Sequence, residues 1–518
     1  MLPVLTPSEA SALDAAAAAR GISTHSLMER AGYAVAVEAA RVAGGRTGRR
    51  VLVVAGKGNN GGDGTVAARV MSGWGMGAVL ITMLNTDRVN KRFGGGPAAD
   101  NLLRLMEETA VPVHPYAPER LERELARADV VIDAIFGTGF HGVPEGIFGS
   151  AIAQLATTEV PVVAVDIPSG VDGATGRVEG AAMRASATVS LAALKPGVIL
   201  PPGWTYAGEL TVADIGFPPE LIGSDTAVVE VADVASRLPQ READTHKQAS
   251  GVVMVVGGSR SMTGAVCLMA EAAARVGAGL VIVATPESVM PVVQGVVTEA
   301  VFLPLPETEE GTVSHAALDH LLQRMENADA AAIGPGMTTE AETQHLVRGF
   351  AAESPKPFVL DADGIGAFAG RAGELSGRKS DAVLTPHLGE FERLSGLAAE
   401  DVTADRLGAV RHIARETGAA LLLKGSRTVI ASPEGEMRVN PTGTSVLATA
   451  GSGDVLTGMT AGLAARGLVP FEAATVAAYL HGVAGRIAGE RTGEGTTARD
   501  VLAAVPSAVT RVRGEADA

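Results

Sequence analysis

Glycine-rich loops that carry polar side chains directly after apolar runs are the features of this sequence that could do chemistry. The first is AGKGNNGGDG, which begins at Ala55 and continues the apolar run RRVLVV. Its G-x-G-x-x-G spacing is typical of a strand–loop–helix turn that binds a dinucleotide pyrophosphate. A redox dinucleotide site also needs an acidic residue at the end of the second strand, where GAVLITMLNTD offers only Asp87, late in the segment. The dehydrogenase fingerprint is therefore incomplete, and the glycine spacing alone leaves the ligand of this loop open.

Two further loops end apolar runs with a carboxylate: DAIFGTG, which begins at Asp133, and DIPSGVD, which begins at Asp166. The carboxyl ends of parallel strands meet at one edge of a sheet, so we expect both loops to converge with the first. The amides of Asn59 and Asn60 add hydrogen-bond donors and acceptors. Taken singly, Asp133 is more typical of a helix cap and His141 of an ordinary loop residue. In combination, the three loops predict a polar substrate crevice.

The second half of the sequence contains ATAGSGDVLTGMTAGL, in which Gly451, Ser452 and Gly453 open a helical pattern with Asp454 in its first turn. The free N–H groups at a helix start favour an anion, and glycine lets a phosphoryl group approach the backbone. An Asp beside such a site can take a proton from a hydroxyl that attacks a phosphate. Since the sequence has no G-x-x-x-x-G-K-[ST] motif, a P-loop is excluded, and phosphate binding must use this other loop.

Short apolar runs alternate with helical patterns along almost the whole chain, after a first helix that a Thr6–Glu9 capping box starts. Continuous Val/Ile runs suit parallel strands that are buried on both faces, so we expect sheets covered by helices on each side. The predicted strands of the first half are RVLVVAG, GAVLITML, ADVVIDAIFG, VPVVAVDIPSG and ATVSLAAL, and those of the second half are GVVMVVGGS, GAGLVIVATP, ADAAAIGPG, KPFVLDADG, DAVLTPHLGE and AALLLKGS.

The alternation breaks between residues 216 and 247, where Pro and charged residues replace the apolar runs. We therefore predict two α/β domains, residues 1–222 and 236–510, each with three α/β/α layers. Helices also close the second series, in GDVLTGMTAGLAARG and FEAATVAAYLHGVAGRIAGE. The glycine loops occupy different places in the two strand series, so the two folds are expected to differ.

Composition narrows the function classes. Hydrophobic residues make up 47% of the 518 residues, and the net charge of -16 disfavours DNA or RNA as a partner. Cys267 is the only cysteine, which excludes an intrachain disulfide and fits a reducing compartment. The sequence shows neither a signal peptide nor a membrane-spanning run, so we expect a cytoplasmic protein without a membrane partner. The Ala-rich N-terminal helices favour a homo-oligomer.

The first-half motifs GKGNNGGDG, DAIFGTGFHG and DIPSGVDG, in this order and spacing, resemble the NAD(P)H-hydrate epimerase domain. The resemblance implies a Rossmann-like fold and hydrated NADH or NADPH as substrate. It also implies a potassium ion held by Asn60, Asp133 and Ser169, which supply oxygen donors. The implied hydrate pocket comprises Asn59, Asn60, Gly61, Gly62, Asp63, Gly137, Thr138, Gly139, Phe140, His141, Gly142, Val143 and Asp166.

The chemistry of such a hydrate suits the residues of this pocket. C6 of the ring carries a hydroxyl next to the ring nitrogen, so acid-assisted loss of water gives an iminium that water can re-enter from either face. A carboxyl such as Asp166 can protonate the leaving hydroxyl and deprotonate the incoming water. No redox cofactor is expected.

The second-half motifs GGSRSMTGA, IGPG, LDADG, TPHLGE, LLKGSRTVI and AGSGD resemble the ribokinase-like superfamily, and within it the ADP-dependent NAD(P)H-hydrate dehydratases. The resemblance implies phosphorylation of the C6 hydroxyl and its elimination as phosphate, with Asp454 as base, ADP as donor, ATP as a possible donor, and Mg²⁺ with the nucleotide. The motifs offer no carboxylate cage for that ion. The implied ADP contacts are Lys424, Gly425, Ser426, Arg427, Thr428 and Gly453, and the implied hydrate contacts are Ala265, Gly336, His387 and Asp454.

One departure from that family is visible after Gly336, where the family continues with Leu-Gly and this sequence has Met337-Thr338-Thr339. We predict a bifunctional enzyme that epimerises R and S hydrates and dehydrates the S form. A ribokinase-like small-molecule kinase fused to a nucleotide- or RNA-binding module is the alternative, since thiazole and pyridoxal kinases share the frame. A third hypothesis is an RNA-associated scaffold, which the net charge and the two strand-end carboxylates oppose.

Overall fold

The computed structural model describes residues 1–84, 96–241, 244 and 246–516, so that Asp87 lies outside the described residues. The chain divides into two compact units, Leu2–Ser224 and Asp225–Ala518, the latter together with Met1. None of the helices in these described ranges is long and apolar enough to cross a membrane.

The helices and strands of the N-terminal unit alternate through most of its length. Their bounds are β1 Leu2–Pro3, α1 Pro7–Ala19, α2 Thr24–Val42, β2 Arg50–Ala55, α3 Asn59–Gly73, β3 Gly77–Thr82, α4 Gly96–Glu108, β4 Val113–Pro115, α5 Pro118–Leu125, β5 Val130–Ala134, α6 Gly146–Leu155, β6 Val162–Val165, β7 Ala187–Leu191, α7 Pro196–Ile199, α8 Trp204–Ala207 and β8 Glu209–Ala213.

The N-terminal sheet has the strand order β4-β3-β2-β5-β6-β7-β8, and every pairing in it is parallel. Strand β2 shows that both faces are covered. Val51 and Val53 pack into the apolar cluster on one face, while Leu52 and Val54 pack into the cluster on the other. The strand order reverses between β2 and β5, and such a switch point is where ligands bind in open parallel sheets.

The first helix begins where the sequence predicts. Thr6 accepts a hydrogen bond from the N–H of Glu9 at 3.2 Å, and the Glu9 carboxylate accepts one from the N–H of Thr6 at 2.7 Å. This capping box satisfies backbone donors that a helix start leaves free. Leu13 and Ala17, four residues apart on α1, are buried and fix this helix against the core.

The C-terminal unit repeats the alternation with longer helices at its end. Its bounds are β9 Thr226–Val228, α9 Val231–Arg237, β10 Val252–Val256, α10 Gly264–Arg275, β11 Leu280–Pro286, α11 Met290–Gln294, β12 Val301–Leu305, α12 Leu318–Met325, β13 Ala330–Ile333, α13 Ala341–Glu353, β14 Phe358–Leu360, α14 Asp363–Gly366, β15 Ala382–Leu384, α15 Leu388–Ser395, α16 Ala399–Ala404, α17 Arg406–Thr417, β16 Ala420–Leu423, β17 Val429–Ala431, β18 Met437–Val439, α18 Ser452–Ala465, α19 Pro470–Thr492 and α20 Ala498–Ala516.

Within this unit the strands lie in the order β9-β18-β17-β16-β15-β14-β13-β10-β11-β12. The pairings from β12 to β16 are parallel, and β17 pairs antiparallel with both β16 and β18. Strand β10 is buried along its whole length, as the Val-rich run predicts. The order reverses between β13 and β10, which predicts a second ligand crevice at the carboxyl ends of the central strands.

The strands that the sequence predicts from long apolar runs are all present. Those that it missed are β1, β4, β8, β9, β12, β17 and β18, each two to five residues long. The carboxyl ends of the strands carry the loops that the sequence singled out, except Gly451–Gly453, which lie at the start of α18.

Candidate active sites

A cavity of about 520 Å³ lies at the switch point of the N-terminal sheet, between the loops that follow β2 and β5. Both loops contribute polar groups to the wall of the cavity. Asp166, which follows β6, contributes a carboxyl group from a third loop. The predicted residues that line the cavity are Asn59, Asn60, Asp63, Gly137, Thr138, Gly139, Phe140, His141 and Asp166, whereas Gly61, Gly62, Gly142 and Val143 are not among its lining residues.

Close packing explains the glycines of the first loop. A Cβ on Gly56 would lie 2.0 Å from the carbonyl oxygen of Ile135, and a Cβ on Gly61 would lie 2.1 Å from the carbonyl oxygen of Gly56. A Cβ on Gly62 would lie 2.5 Å from Sδ of Met28. These glycines let α3 start tightly against the neighbouring loop, so that Asn59 and Asn60 face the cavity.

Asp166 is held by a buried lysine that the sequence analysis missed. Its Oδ1 forms an ion pair with Nζ of Lys195 and accepts a hydrogen bond from the N–H of Leu191 at 2.9 Å. The same lysine donates to the carbonyl oxygen of Leu191 at 2.8 Å. Asp166 has a φ of +67°, which is strained for a residue with a Cβ. The carboxylate is therefore fixed in position at the cavity wall.

Two more carboxyl groups line the same cavity. Asp63 on α3 is 5% exposed, and burial, with further repulsion from Asp166 and Asp14, raises its pKa well above the usual range. Burial also raises the pKa of Asp14 on α1, and Lys195 opposes that shift. One lysine thus faces three carboxyl groups, and the groups without a partner are driven toward their neutral, proton-donating form.

The three predicted potassium ligands lie together beneath this cavity wall. Asp133 accepts hydrogen bonds from the hydroxyl of Ser169 at 2.6 Å and from its N–H at 2.8 Å, while burial raises the pKa of Asp133 to about 6. The amide nitrogen of Asn60 donates to the carbonyl oxygens of Phe136 at 2.7 Å and Val165 at 3.0 Å. Carboxylate, hydroxyl and carbonyl oxygens lie close together here, and oxygens of these kinds are ligands that suit a hard cation.

An aromatic group forms another part of the cavity wall. The ring of Phe136 stacks on that of Phe140 with centroids 4.6 Å apart, and on that of Phe148 at 5.2 Å. Nζ of Lys57 lies 5.9 Å from the centre of the Phe148 ring. Stacked rings beside an exposed ammonium group suit a planar base attached to a phosphate.

The C-terminal site is centred on Asp454, in the first turn of α18. The preceding Gly451 has a φ of +86°, and the helix has no side-chain cap. Burial, with repulsion from Asp361, raises the pKa of Asp454 to about 7, against attraction by Lys424. A carboxyl with this pKa can accept and return a proton near neutral pH.

Lys424 connects the carboxylates of this site. Its Nζ lies 2.7 Å from Oδ1 of Asp361 and 3.7 Å from Oε2 of Glu390. Burial lowers the pKa of Lys424, but Asp361 and Glu390 outweigh it and leave the pKa raised. The other oxygen of Asp361 accepts a hydrogen bond from Thr457 of α18 at 2.6 Å. The lysine is therefore a fixed cation near Asp454.

The predicted nucleotide loop, Lys424–Thr428, connects the antiparallel strands β16 and β17. A Cβ on Gly453 would lie 3.3 Å from Nζ of Lys424, so the two parts of the predicted ADP site are adjacent. Arg406 places its guanidinium 3.4 Å from the carbonyl oxygen of Lys424, and burial lowers the pKa of Arg406 to about 10. The loop thus gathers cations and backbone groups beside the start of α18.

The predicted hydrate contacts fall on two sides of this site. A Cβ on Gly336 would lie 3.4 Å from the Cβ of Ala265, which places these two residues together. His387 caps α15 by accepting from the N–H of Gly389 at 3.1 Å, and its Nε2 lies 3.4 Å from Glu390. Its side chain is 56% exposed, so the ring can still meet a ligand.

A buried histidine that the sequence analysis missed holds the glycine loop from behind. Nε2 of His481 on α19 lies 3.1 Å from the hydroxyl of Ser452, and burial lowers the pKa of His481 to about 4. The ring is therefore neutral at physiological pH. The His481 ring therefore holds the Ser452 side chain in place at the start of α18.

Backbone strain marks the loops of both sites. Among the described residues, five other than glycine have a positive φ, and all five belong to loops at the strand ends. Such strain persists where the surrounding structure imposes it, and it clusters at functional sites. The five are Asp166, Ala192, Thr338, Ala362 and Arg427.

No group of three or more His, Cys, Asp or Glu side chains in the described part of the chain is arranged to hold a metal ion. A divalent ion would need the phosphates of the nucleotide among its ligands.

Comparison with known proteins decides the family. The model of the YjeF-related protein N-terminus matches residues 24–197, and that of NAD(P)H-hydrate dehydratase matches residues 253–507. The bifunctional NAD(P)H-hydrate repair enzyme of Moorella thermoacetica is 40% identical over 95% of this chain and 93% of its own. That of Thermofilum pendens is 38% identical over 99% and 97%.

This chain belongs to the bifunctional NAD(P)H-hydrate repair enzyme family. A solved ADP/ATP-dependent NAD(P)H-hydrate dehydratase from Bacillus subtilis, co-crystallised with ATP/Mg²⁺, is also similar. It is 31% identical, covers 55% of this chain and 97% of its own, and has a TM-score of 0.48. The predicted family and the predicted fold class, an N-terminal Rossmann-like and a C-terminal ribokinase-like α/β unit, are confirmed.

The ranges matched by the two family models include the residues of both sites that the sequence analysis missed, except Asp14. Lys195 falls inside the first matched range, and Asp361 and His481 fall inside the second. Asp361 directly follows an apolar run in LDADG. The same sequence feature led to the prediction of Asp133 and Asp166. Asp14 precedes residue 24 and lies outside the matched range.

Proposed function

We propose that this repair enzyme interconverts the R and S hydrates of NADH and NADPH in its first site and dehydrates the S form in its second, with ADP or ATP as phosphoryl donor. The observation that carries the proposal is Asp454, poised with a pKa of about 7 at the open start of α18, beside Lys424. We assign epimerisation to residues 1–222 and dehydration to residues 236–510.

For epimerisation, Asp166 exchanges a proton with the C6 hydroxyl or with the water that replaces it. Lys195 holds the carboxylate at the cavity wall and offsets its charge. The ring nitrogen supplies the electron pair that expels the hydroxyl as water, and the resulting iminium takes up water again. The stacked rings of Phe136 and Phe140 exclude bulk water from one side of the substrate.

For dehydration, Asp454 takes the proton of the C6 hydroxyl as its oxygen attacks the terminal phosphate. The N–H groups at the start of α18 and the Lys424 ammonium offset the charge on the transferring group. Phosphate then leaves C6 with its bonding electrons, as the lone pair of the ring nitrogen forms the iminium. Loss of a proton from C5 completes the reduced nicotinamide.

Two ions accompany these reactions in the proposal. Asn60, Asp133 and Ser169 would hold potassium, supported by the converging oxygen donors around them, and the ion would add positive charge beside the hydrate. Mg²⁺ would arrive with the nucleotide and neutralise its phosphates. The remaining proposals, a homo-oligomer and a cytoplasmic location without nucleic-acid partners, rest on sequence composition.

The test uses the full chain with purified R or S hydrate, and with ADP or ATP in separate reactions. We expect the R form to convert only after it appears as S, with one free phosphate released for each reduced nicotinamide formed. The variants Asp166→Asn and Asp454→Asn are matched controls, because each removes one ionisable oxygen from one site. Accumulation of a phosphorylated product without reduced nicotinamide would instead establish a small-molecule kinase.

A further inference from the structure

Epimerisation at C6 involves proton transfer at both faces of the ring. Hydroxide leaves from one face of the ring, and water must re-enter from the other face if the configuration is to invert. Proton transfer at each face requires a group within hydrogen-bond distance of that face. Asp166 and its partner Lys195 stand on one part of the wall, so a second group is needed elsewhere.

Asp14 reaches the cavity from a different element. It lies on α1, and Ala10 and Leu13 of the same helix also line the cavity. Asp166 instead follows β6 at the sheet edge. Asp14 and Asp166 belong to the same compact unit and line the same cavity. They enter that cavity from different secondary-structure elements.

The position of Asp14 has no local structural explanation. Aspartate is a poor residue for a helix interior, and the N-terminal cap of α1 is already supplied by Thr6 and Glu9. Within the described ranges, the Asp14 carboxyl makes neither an ion pair nor a hydrogen bond. The residue as a whole is exposed, while its carboxyl is partly buried where it lines the cavity, so it can bond a ligand there.

The shared cavity places Asp14 near Asp166 and Lys195, and the electrostatics of these groups agrees with that placement. The shift of its pKa responds to Lys195 and to Asp166, and Asp14 in turn contributes to the raised pKa of Asp63. Such coupling requires short distances. Asp63 is more deeply buried than Asp14 and is fixed within α3, which suits a group that binds the substrate.

We propose that Asp14 is the second acid–base residue of the epimerase and serves the ring face turned away from Asp166. This inference rests on the proposed epimerisation. For the hydrate whose hydroxyl faces Asp14, the protonated carboxyl gives its proton to the hydroxyl. The C6–O bond breaks, water leaves, and the nitrogen lone pair forms the iminium.

Water on the opposite face then adds to C6, and its proton passes to the Asp166 carboxylate. The iminium electrons return to the ring nitrogen. At the end Asp14 is ionised and Asp166 carries the proton, so the pair is set for the reverse conversion of the other epimer. No net proton or electron is gained or lost over the reaction.

The test measures inversion and oxygen exchange separately, in ¹⁸O-labelled water, with each purified epimer in turn. Asp14→Asn should reduce inversion by about 10²- to 10⁴-fold, the typical loss for an acid–base residue. The epimer whose hydroxyl faces Asp166 should still exchange its oxygen with retention, at a rate within about threefold of the wild type. Asp166→Asn should give the mirror pattern, with exchange only in the other epimer.

Ser11→Ala, on the same exposed part of α1, is the matched control and should leave both rates unchanged. Inversion within threefold of the wild type in Asp14→Asn would overturn the proposal. Equal loss of exchange in both epimers would overturn it too, because that pattern shows a structural defect. Retained exchange in both epimers would assign the second face to another group. A wild-type chain that neither inverts nor exchanges would refute the epimerase function itself.

Discussion

Each unit places one lysine, buried for Lys195 and half-buried for Lys424, against one carboxylate at the carboxyl end of its sheet, but the two pairs are used differently. Lys195 and Asp166 share a third partner, Leu191, and form a closed group at the wall of a cavity. Lys424 and Asp361 form a pair that stays open toward Glu390 and Asp454. The first arrangement suits proton exchange with water, and the second suits transfer of a charged phosphoryl group.

The two sites accommodate their unpaired carboxyl groups in different ways. In the N-terminal cavity, the carboxyls without a lysine are Asp14 and Asp63, whose pKa values are raised chiefly by burial. In the C-terminal site the corresponding group is Asp454, where a phosphate and its Mg²⁺ would alter the local charge. The N-terminal site holds no second charged substrate and can accommodate carboxyl groups of raised pKa, whereas the C-terminal site needs a base that ionises near pH 7.

The strongest test of this contrast is Asp454→Asn. The amide preserves size but cannot take the hydroxyl proton, so dehydratase turnover should fall by about 10²- to 10⁴-fold while ADP binding and epimerisation stay near wild type. Both reactions are followed on the same protein, by reduced-nicotinamide absorbance and by separation of the epimers. Retention of more than about a tenth of dehydratase turnover would show that Asp454 is not the base.

Removal of each lysine compares the two pairs directly. Lys195→Met leaves a buried carboxylate without its counter-charge, which typically costs about 3–5 kcal/mol in unfolding free energy. Lys424→Met should cost less, because the Lys424 side chain is 19% exposed against 4% for Lys195, and Asp361 keeps its hydrogen bond to Thr457. Urea denaturation at pH 7.5 gives both values.

The double variant Lys195→Met/Asp166→Asn supplies the control for that comparison. Removing both charges should restore part of the stability lost in Lys195→Met, because no unpaired charge remains. An equal loss in the single and double variants would mean that the lysine acts through packing rather than through charge.

The Lys424–Asp361 pair should also affect the kinetics of nucleotide use. Lys424→Ala removes a charge-assisted contact to phosphate, worth about 1.5–3 kcal/mol, so the apparent KM for ADP should rise about 10- to 100-fold. The KM for the hydrate should change far less. Lys379→Ala, which breaks an exposed ion pair with Glu353 in the same unit, is the control and should change neither value.

A pH profile sharpens the assignment of the base. With a pKa of about 7, Asp454 is mostly protonated at pH 6 and mostly ionised at pH 8. The dehydratase kcat should therefore rise about tenfold over this range. The epimerase rate measured in parallel should follow a different profile, because Asp454 takes no part in it. Identical profiles would point to a common cause outside Asp454.

Stability should respond to the same ionisation with the opposite sign. The pKa of Asp454 rises from 3.8 to about 7 on folding, so its contribution to stability is fully present below pH 3.8 and is lost as the pH rises through 7. Asn carries no such dependence. The Asp454→Asn variant should therefore gain stability relative to the wild type between pH 4 and pH 7.

Long apolar runs made the central strands predictable from sequence, because strands buried on both faces must be continuously apolar. The missed strands β1, β4, β8, β9, β12, β17 and β18 are short, and most are recognised only through their neighbours in the sheet. Asp133, Asp166 and Asp454 were predictable since each directly adjoins a strand end or a helix start.

The partners of those carboxylates were not predictable in the same way. Lys195 is 29 residues from Asp166, and Thr457 is 96 residues from Asp361. His481 meets Ser452 only because α19 packs beside α18. Nothing in the local sequence distinguishes such residues from solvated or core ones, since their role depends on tertiary placement.

The two units also differ in how they build their tightest loops, and this gives the smallest expected effect. The N-terminal loop uses glycine at its closest approaches, Gly56 and Gly61. The C-terminal loop after Gly336 instead has Thr338 with a φ of +65°, at a position where the resembling family has glycine. Its N–H donates to Asp363 at 2.8 Å, which holds the strained backbone in place.

Thr338→Gly should relieve this strain while keeping the hydrogen bond to Asp363. A left-handed conformation costs a residue with a Cβ about 1–2 kcal/mol, which glycine avoids. The greater freedom of glycine in the unfolded chain opposes this stabilisation by about 0.5–1 kcal/mol. The net expectation is a stabilisation of about 0.5–1 kcal/mol in urea denaturation. Thr339→Gly, whose backbone has no positive φ, is the matched control and should lose about 0.5–1 kcal/mol. Equal destabilisation of the two variants would show that Thr338 stores no strain.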